Sequence, residues 1–383
     1  MKIAIVGGKL QGTEAVYLAS LAGYESILID INPEVQASGF CDEFLCGDIV
    51  KEEPHVIEAL KKADFVLPAN ENTDVLNAVK RIARRENLKV AFDFDAYQIS
   101  SSKLISDKLF EENDIPAPTY YPQGRPPYIA KPSGESGSQG VTLLETRDEA
   151  EAFLASCGNP ESWVIQEYVQ GPSYSIEVIG NGREYRTYTV TQIHMDDKYD
   201  CCMVTAPCEI GEEKIMQFRQ IGEKIADVLK LKGMMDVEVI DDGENLKVLE
   251  IDARIPSQTP IAVYYSSGDN LLEELADVTV YGEFRKEKKD EKHFCAYEHY
   301  EMEKNQLMRY GEHAFSQARP LIVSDGLFSS QKVISDYEPG KNDFRGVFIN
   351  WADSYEELYA KRMKVKNALK EFEAECKAKR SES

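Results

Sequence analysis

The sequence predicts a mixed α/β fold, with an N-terminal doubly wound α/β domain, a small mixed unit and a C-terminal mixed sheet. Residues 1–95 alternate buried strands with helices, which is the pattern of a parallel sheet. A Pro-rich stretch at 116–127 ends this alternation, and residues 174–260 then read mainly as strands around one helix. With 383 residues, the chain is long enough for two or three domains.

In the N-terminal part, apolar runs bounded by turn residues mark strands, and apolar residues at helical spacing mark helices. The expected strands are Lys2–Val6, Ser26–Ile31, Phe65–Pro68 and Lys89–Phe92. The expected helices are Gln11–Ala22, Val56–Lys62 and Asp74–Glu86.

The middle of the chain begins with a polar helix and continues as a mixed unit around a Gly/Ser loop at 132–140. The expected helices are 99–113, 147–155 and 212–230, and the expected strands are 128–131, 141–144 and Trp163–Glu167. Residues 355–380 have the pattern of a charged amphipathic helix, and the charge run at 285–292 indicates a solvated loop.

The composition excludes some classes of partner. A net charge of −23 argues against nucleic acid and anionic membranes, which both need basic surface. The eight cysteines form no CxxC pair, which favours reduced thiols in a cytoplasmic protein over a structural zinc site. We expect neither a signal peptide nor a membrane-spanning segment.

Residues 236–254 read as two strands joined by a tight turn, and their charged residues alternate with apolar ones. Residues two apart share one face of a strand. One face of the hairpin therefore carries Asp236, Glu238, Glu250, Asp252 and Arg254. A divalent cation would relieve the repulsion between these carboxylates, and an arginine beside them favours phosphate as the other partner.

The loop from Gly7 to Gly12 follows a strand and opens a helix, and Asp30 closes the next strand. It nearly matches the dinucleotide-binding fingerprint, but Lys9 replaces the glycine that lets the backbone approach a pyrophosphate. Three interpretations stay open: a tight turn that packs helix on strand, a small-molecule site at the carboxyl edge of the sheet, and a dinucleotide site.

Two further motifs follow in the middle of the chain. Lys131 ends a strand before a loop with three glycines that could wrap a phosphate chain, or be a flexible hairpin. Glu167, Tyr168 and Val169 end another strand before a Gly-Pro turn. Free backbone groups there could bind the edge of a purine, although the motif taken alone favours a plain strand-turn-strand.

The order of these motifs resembles the ATP-grasp superfamily over roughly residues 1–300. Lys103 on a helix precedes Lys131 and its glycine loop, then the strand end at Glu167, then the acidic hairpin. The resemblance implies an N-terminal α/β domain at 1–98, a small lid domain at 99–166 and a catalytic domain at 167–383. It also implies ATP and Mg²⁺ as cofactors, with ADP as a product, and a carboxylate joined to an amine through an acylphosphate.

The superfamily's functional residues can be placed on this sequence. The resemblance implies ATP contacts at Lys103, Lys131, Ser136, Gly137, Ser138, Gln139, Gly140, Glu167, Tyr168, Val169 and Ser173. It implies metal ligands at Glu238, Glu250 and Asp252, with Arg254 as the catalytic, phosphate- or substrate-binding arginine. Ser173 stands where the family usually has a glutamate for the ribose hydroxyls, and Asp252 stands where it usually has asparagine.

Within the superfamily, the chain is similar to the ligases of pyrrolysine biosynthesis, which join (3R)-3-methyl-D-ornithine to the ε-amino group of L-lysine. That resemblance implies these two small-molecule substrates; a homodimer is possible.

Candidate groups for the two substrates are acidic and hydroxyl side chains. For lysine they are Leu10, Gln11, Gly12, Glu71 and Asn72. For ornithine they are Glu177 and Asp236 toward its amines and Ser257 and Thr259 toward its carboxylate. A turn with a helix cap is the competing interpretation of Glu71 and Asn72, and a solvated strand end that of Asp236.

Three rival functions remain. A carboxylase or another ATP-grasp ligase would keep the fold and change the substrate. An NAD-dependent dehydrogenase would be built on the first domain, and Lys9 argues against it. A non-catalytic nucleotide-binding regulator is disfavoured by the retained lysines and the full set of metal-binding positions.

Overall fold

The computed structural model of the chain describes residues 1–134, 140–197, 199–290 and 292–381, the side chains of 379–381 excepted. The strands are β1 Lys2–Val6, β2 Glu25–Asp30, β3 Glu43–Cys46, β4 Phe65–Pro68, β5 Tyr128–Pro132, β6 Thr142–Leu144, β7 Trp163–Glu167, β8 Ser173–Asn181, β9 Tyr185–Thr187, β10 Thr191–Met195, β11 Cys201–Ala206, β12 Lys232–Asp241, β13 Leu246–Asp252, β14 Phe294–Glu303, β15 Gln306–Met308, β16 Ile322–Asp325, β17 Lys332–Ser335 and β18 Phe344–Ala352. The α-helices are α1 Leu10–Leu21, α2 Pro54–Lys61, α3 Thr73–Glu86, α4 Phe94–Ser100, α5 Lys103–Glu112, α6 Arg147–Ser156, α7 Glu212–Leu229, α8 Thr259–Ser267, α9 Leu271–Tyr281, α10 Glu312–Phe315 and α11 Tyr355–Ser381.

The N-terminal strands form the predicted parallel sheet, in the order β3-β2-β1-β4. Helix α3 shows why its boundaries fall where they do. The Asn72 side chain accepts the backbone N–H groups of Asp74 and Val75 at 3.0 and 3.1 Å, and Asn87 ends the helix in the left-handed conformation at φ 56°. Both are common helix-terminating devices.

Two details of this sheet differ from the prediction. The expected strand Lys89–Phe92 is reduced to one bridge between Val66 and Val90, because Asp93 already caps the N-terminus of α4. The unpredicted β3 is half-exposed along its length, so it has no apolar alternation to reveal it.

The expected helix 99–113 is divided into α4 and α5. The backbone N–H of Lys103 donates to the Ser133 carbonyl at 3.0 Å instead of continuing a helix, and Ser102 is extended. The break sets Lys103 at the start of a new helix, beside the small antiparallel sheet β6-β5-β7.

The large sheet has the order β13-β12-β8-β10-β11-β14-β18-β17-β16, with β9 beside β8 and β15 beside β14. We expected a mixed sheet, but every strand pair that is described in it is antiparallel. Short connections such as β10–β11, β12–β13 and β14–β15 allow only antiparallel pairing. The individual elements between 260 and 352 were not predicted.

One apolar core joins the N-terminal sheet to the large sheet. It includes Ile5 of β1, Leu18 of α1, Leu275 of α9 and Val347 of β18. Helices α8 and α9 lie between the two sheets and contact α1. The carboxyl edge of the first sheet and the hairpin β12–β13 are therefore held in one body. Among the described helices, none combines the length and apolarity that a membrane crossing requires.

Candidate active site

Hairpin β12–β13 presents the predicted row of carboxylates on one face. Glu238 lies opposite Glu250, and Asp236 lies opposite Asp252. An irregularity in the pairing after Glu238 adds one residue to β13, which keeps these side chains on one face while Val237, Val239, Val248 and Ile251 are buried on the other. We call Asp236, Glu238, Glu250 and Asp252, together with Glu177 on the neighbouring β8, the acidic face. Across the sheet, one end of this face is Glu250 and Asp252 on β13, and the other end is Asp236 on β12 with Glu177 opposite it on β8.

Two cations contact one end of the acidic face. The Lys103 Nζ lies 3.0 Å from Glu250 Oε2, and the Arg254 Nη2 donates to Asp252 Oδ2 at 2.8 Å. Burial acts to raise the pKa of Glu250, but Lys103, Lys131 and Arg254 outweigh it and the pKa is lowered. Burial lowers the pKa of the Lys131 amine. The charges at this end are therefore held in a compact, mutually neutralising group.

The carboxylates of the face also repel one another, which adds to the effect of burial on the pKa of Glu238 and Asp252. Burial, and then Asp236 and Glu250, raise the pKa of Glu238 well above its ordinary value. Burial also raises the pKa of Asp252 to about 7, against the pull of Arg254. In this conformation no three Asp, Glu, His or Cys side chains of the described residues are placed to hold a metal ion. The donor chemistry nevertheless fits a hard divalent cation, because clustered carboxylate oxygens are its preferred ligands.

The first domain reaches this face through Glu71. Its Oε1 accepts from Gln11 Nε2 at 2.9 Å and from Arg254 Nε at 2.8 Å. A cavity of about 200 Å³ lies between the two parts, lined by Glu71, Thr73, Tyr97, Ser100, Ser101, Lys103, Gly134, Glu250, Ile251 and Asp252. The structure thus brings together Gln11, Glu71, Arg254 and Asp252, which are far apart in sequence.

A larger cavity, about 660 Å³, opens at the carboxyl edge of the N-terminal sheet. Leu10, Gln11, Glu71 and Asn72 line it, as expected for a small-molecule site at that edge. Gly12 is not among the lining residues; a Cβ there would lie 2.1 Å from the Gly7 carbonyl oxygen, so the glycine permits close packing of α1 on the preceding turn. The Asn72 side chain is used as a helix cap, which was the competing interpretation.

At the predicted nucleotide hinge, Glu167 is held on several sides. Its Oε1 accepts the Thr119 N–H at 3.0 Å and the Lys247 ammonium at 2.9 Å. Burial acts to raise the pKa of Glu167, but these donors lower it overall. The backbone N–H groups of Glu167 and Tyr168 donate to the carbonyls of Thr119 and Pro127. Sequence patterns did not single out Lys247.

Two further predicted nucleotide contacts lie within the described residues. Ser173 begins β8, and Gly140 adopts φ 72° at the end of the predicted phosphate loop. Ser136, Gly137, Ser138 and Gln139 lie outside the described residues.

At the other end of the acidic face, neither Glu177 nor Asp236 forms an ion pair with a cation among the described residues. Glu177 is fully buried, and within the described residues neither of its carboxylate oxygens has a hydrogen-bond partner. Burial, and then Asp236 on the paired strand, raise the pKa of Glu177 to about 8. Asp236 accepts from Ser175 Oγ at 2.7 Å, and burial raises the pKa of Asp236 to about 6.

The loop 254–259 after the hairpin contains an unusual turn. Gln258 adopts φ 74° and ψ −52°, and the Thr259 N–H donates to the Ser257 carbonyl at 2.9 Å, which makes a γ-turn. A residue other than glycine in this conformation costs on the order of 1–3 kcal/mol and persists only when its surroundings hold it. The hydroxyl of Ser257 donates to Glu312 Oε2 at 2.7 Å.

Glu14 is the unpredicted partner of that turn. It is fully buried on α1, and its two oxygens accept the N–H groups of Gln258 at 3.1 Å and Ile261 at 2.7 Å. Burial raises the pKa of Glu14 to about 8, although both N–H donors act to lower it. An acidic residue inside the apolar run of α1 was the available signal, but nothing in the sequence indicated its partner.

Comparisons with known proteins show what the chain is similar to. Residues 100–258 match the model of the ATP-grasp domain. The chain is 38% identical to a 3-methyl-D-ornithine–L-lysine ligase of Methanosarcina barkeri, over 96% of this chain and 98% of that protein. It is 42% identical to the ligase of the same name from Methanosarcina acetivorans, over 82% and 84% of the two chains. The resemblance that the motif order indicated is thereby confirmed.

Solved structures resemble the whole chain at low sequence identity. A biotin carboxylase from Campylobacter jejuni aligns with a TM-score of 0.71 at 14% identity, covering 94% of this chain and 89% of that one. An L-amino acid ligase from Bacillus licheniformis aligns with a TM-score of 0.68 at 15% identity, covering 96% and 97%. These likenesses establish the shared fold.

Proposed function

We propose that this chain, which belongs to the ATP-grasp family of 3-methyl-D-ornithine–L-lysine ligases, is an ADP-forming carbon–nitrogen ligase that joins (3R)-3-methyl-D-ornithine to the ε-amino group of L-lysine. Its product is an isopeptide-type amide, a precursor in pyrrolysine biosynthesis. Membership of this family removes the dehydrogenase interpretation of the first domain. The catalyst works in the cytoplasm on free amino acids, without nucleic acid or membrane, and a homodimer is its proposed assembly.

The observation that carries the choice of substrate is the fully buried carboxylate of Glu177 beside Asp236, which has no cationic partner within the described residues. A buried charge without a partner is unfavourable unless a cation completes it. The amines of a diaminocarboxylic acid would supply that charge. Ser257 and Thr259, at the γ-turn, would contact the same substrate near its carboxylate.

ATP would bind between the small domain at 99–166 and the large domain at 167–383. Lys103, Lys131 and the loop that ends at Gly140 would contact its phosphates. Because Glu167 and Tyr168 donate their backbone N–H groups within the protein, Val169 is the hinge residue that remains for the adenine. Ser173 would face the ribose.

Glu238, Glu250 and Asp252 would hold magnesium, which when bound would neutralise the phosphates and align the γ-phosphoryl group. Lys103, whose Nζ lies 3.0 Å from Glu250 Oε2, would contact the phosphate oxygens.

The reaction then proceeds by positioning and charge stabilisation. An oxygen of the methylornithine carboxylate attacks the γ-phosphorus, and ADP leaves. The deprotonated lysine amine attacks the resulting acyl carbon, the carbon–nitrogen bond forms, and phosphate leaves with one former carboxylate oxygen. Arg254 would stabilise the negative charge on the transferring oxygens.

Lysine would occupy the side of the site that belongs to the first domain, 1–98. Gln11 and Glu71 face the large cavity there, and Glu71 also accepts from Arg254. A lysine held by Leu10, Gln11, Glu71 and Asn72, which all line that cavity, would reach the acyl carbon from the first domain. Of these residues, Glu71 would contribute the charge that a lysine amine requires.

The test is the release of ADP by the purified protein with Mg²⁺-ATP and each substrate alone or both together. The proposal predicts rapid ADP and amide formation only when lysine and the methylated ornithine are both present. ADP release that depends on bicarbonate would instead assign a carboxylase, and amide formation with a different pair of amino acids would change the substrates while keeping the ligase.

A further inference from the structure

Glu14 connects two parts of the molecule that hold different substrates in the proposed function. It lies on α1, at the carboxyl edge of the N-terminal sheet, yet both of its oxygens accept backbone N–H groups from 258 and 261 in the large domain. The side chain is fully buried. It therefore ties the loop 254–259 to the first domain through two hydrogen bonds.

The γ-turn at Gln258 is fixed by its side chain as well as by its backbone. Gln258 Nε2 donates to Glu312 Oε2 at 2.9 Å. Gln258 Oε1 accepts a hydrogen bond from Cys201 Sγ at 3.2 Å and lies 3.1 Å from His299 Nε2. A strained backbone held by so many partners is typical of residues that orient a binding loop.

What the turn orients is the hydroxyl of Ser257. Ser257 Oγ and Gln258 Nε2 both donate to the same oxygen of Glu312, so the turn and this carboxylate form one unit. Arg254 begins the same loop, and the negative charge of Glu312 is one of several that raise the pKa of Arg254. A change in the turn would therefore move the groups that face the carboxylate substrate.

We propose that Glu14 is a positioning residue: by holding the γ-turn at Gln258 it sets the place of Ser257 and Glu312, and so determines how tightly the enzyme binds its carboxylate substrate. The inference rests on the proposed function for the identity of that substrate. Glu14 itself contacts neither substrate nor nucleotide. Its effect is on the binding of one substrate and on the mobility of one loop.

The variant Glu14→Gln tests this, because an amide keeps the size but offers only one acceptor oxygen and turns an N–H donor toward a backbone N–H. Glu274→Gln is the matched control, since Glu274 is also a buried carboxylate but pairs with Arg186. Gln258→Gly is a second variant, because glycine adopts the turn without strain and loses the side-chain contacts.

Two measurements are made on the whole protein. Hydrogen exchange followed by mass spectrometry should show segment 255–262 of the ligand-free Glu14→Gln variant exchanging about tenfold faster, with no such change in the control. Steady-state kinetics should show KM for the carboxylate substrate rising about tenfold in Glu14→Gln and Gln258→Gly, with KM for ATP within about twofold.

The outcomes are separable. Unchanged exchange of segment 255–262, faster exchange with unchanged kinetics, or changes of the same size in Glu274→Gln would overturn the positioning role. If Glu14→Gln does not fold, Glu14→Asp, which keeps two acceptor oxygens on a shorter side chain, decides by the same exchange and KM comparisons. A wild-type protein that forms no amide would refute the proposed function, while the exchange measurement would still report on the hold of Glu14 over the loop.

Discussion

The two ends of the acidic face are built from the same residue type and end in opposite electrostatic states. At one end, Glu250 and Asp252 lie beside Lys103 and Arg254. At the other, Glu177 is buried opposite Asp236, and neither of its oxygens has a hydrogen-bond partner in the described residues. The protein supplies the countercharge at the first end and leaves it missing at the second.

The difference indicates which partner each end receives. Cations already present at the first end can pass to the phosphates of a nucleotide when a metal takes the carboxylates. At the second end Arg254 acts on Asp236, but no cation among the described residues pairs with Glu177, so we expect its countercharge to arrive with the ligand. Glu14 is as buried as Glu177, but both of its oxygens accept hydrogen bonds from backbone N–H groups. Equal burial thus leaves Glu14 with its partners inside the protein, while Glu177 has no cationic partner among the described residues.

The largest expected effect is at the paired end. Glu250→Gln removes a charged metal-binding oxygen and the partner of Lys103, so turnover should fall about 100- to 1000-fold while the protein stays folded. The measurement is the rate of ADP and amide formation at saturating substrates, with circular dichroism to verify folding. Glu244→Gln, an exposed change in the turn of the same hairpin, is the control. Near-normal turnover of Glu250→Gln would remove the metal assignment.

At the unpaired end we expect activity and stability to move in opposite directions. Glu177→Gln should lower kcat/KM for the ornithine substrate on the order of 10- to 100-fold, because an amine loses its charged partner. The same change should raise the free energy of unfolding at pH 8 by about 1–3 kcal/mol, because it removes a buried charge. Kinetics and denaturant unfolding at one pH measure both. A variant that is less stable and fully active would show that Glu177 neither binds the substrate nor destabilises the fold.

The pH dependence of stability is the smaller effect. A carboxyl whose pKa is raised on folding, such as Glu177 at about 8 or Asp252 at about 7, binds its proton more tightly in the native state. As the pH rises from the ordinary pKa of such a carboxyl to its raised pKa, the free energy of unfolding falls by about 1.4 kcal/mol per pH unit. The substrate-free protein should therefore be more stable at pH 6 than at pH 8. Glu177→Gln should have a shallower slope in thermal unfolding between these values, and an unchanged slope would show that Glu177 is not the buried charge responsible.

The parts of this site that follow from local patterns were predictable. Alternation along a strand was enough to place Asp236, Glu238, Glu250 and Asp252 on one face, and the parallel order of the first sheet followed from its strand–helix alternation. The motif order supplied the family.

What could not be predicted depends on contacts between distant segments. The ties of Glu14 to the γ-turn, of Glu167 to Lys247 and of Glu71 to Arg254 join residues at least 80 positions apart. Nothing in a local pattern encodes such a pairing. The break between α4 and α5 has the same origin, because the N–H of Lys103 is taken by Ser133 from the small sheet.

An ¹⁸O experiment tests whether the γ-phosphate of ATP activates the carboxylate of the ornithine substrate. The protein is given Mg²⁺-ATP, lysine and 3-methylornithine labelled with ¹⁸O in its carboxylate, and the inorganic phosphate is examined by mass spectrometry. An acylphosphate predicts one ¹⁸O in the phosphate for each amide formed, with ADP as the nucleotide product. Unlabelled phosphate, or label recovered in AMP, would contradict activation of the carboxylate as an acylphosphate.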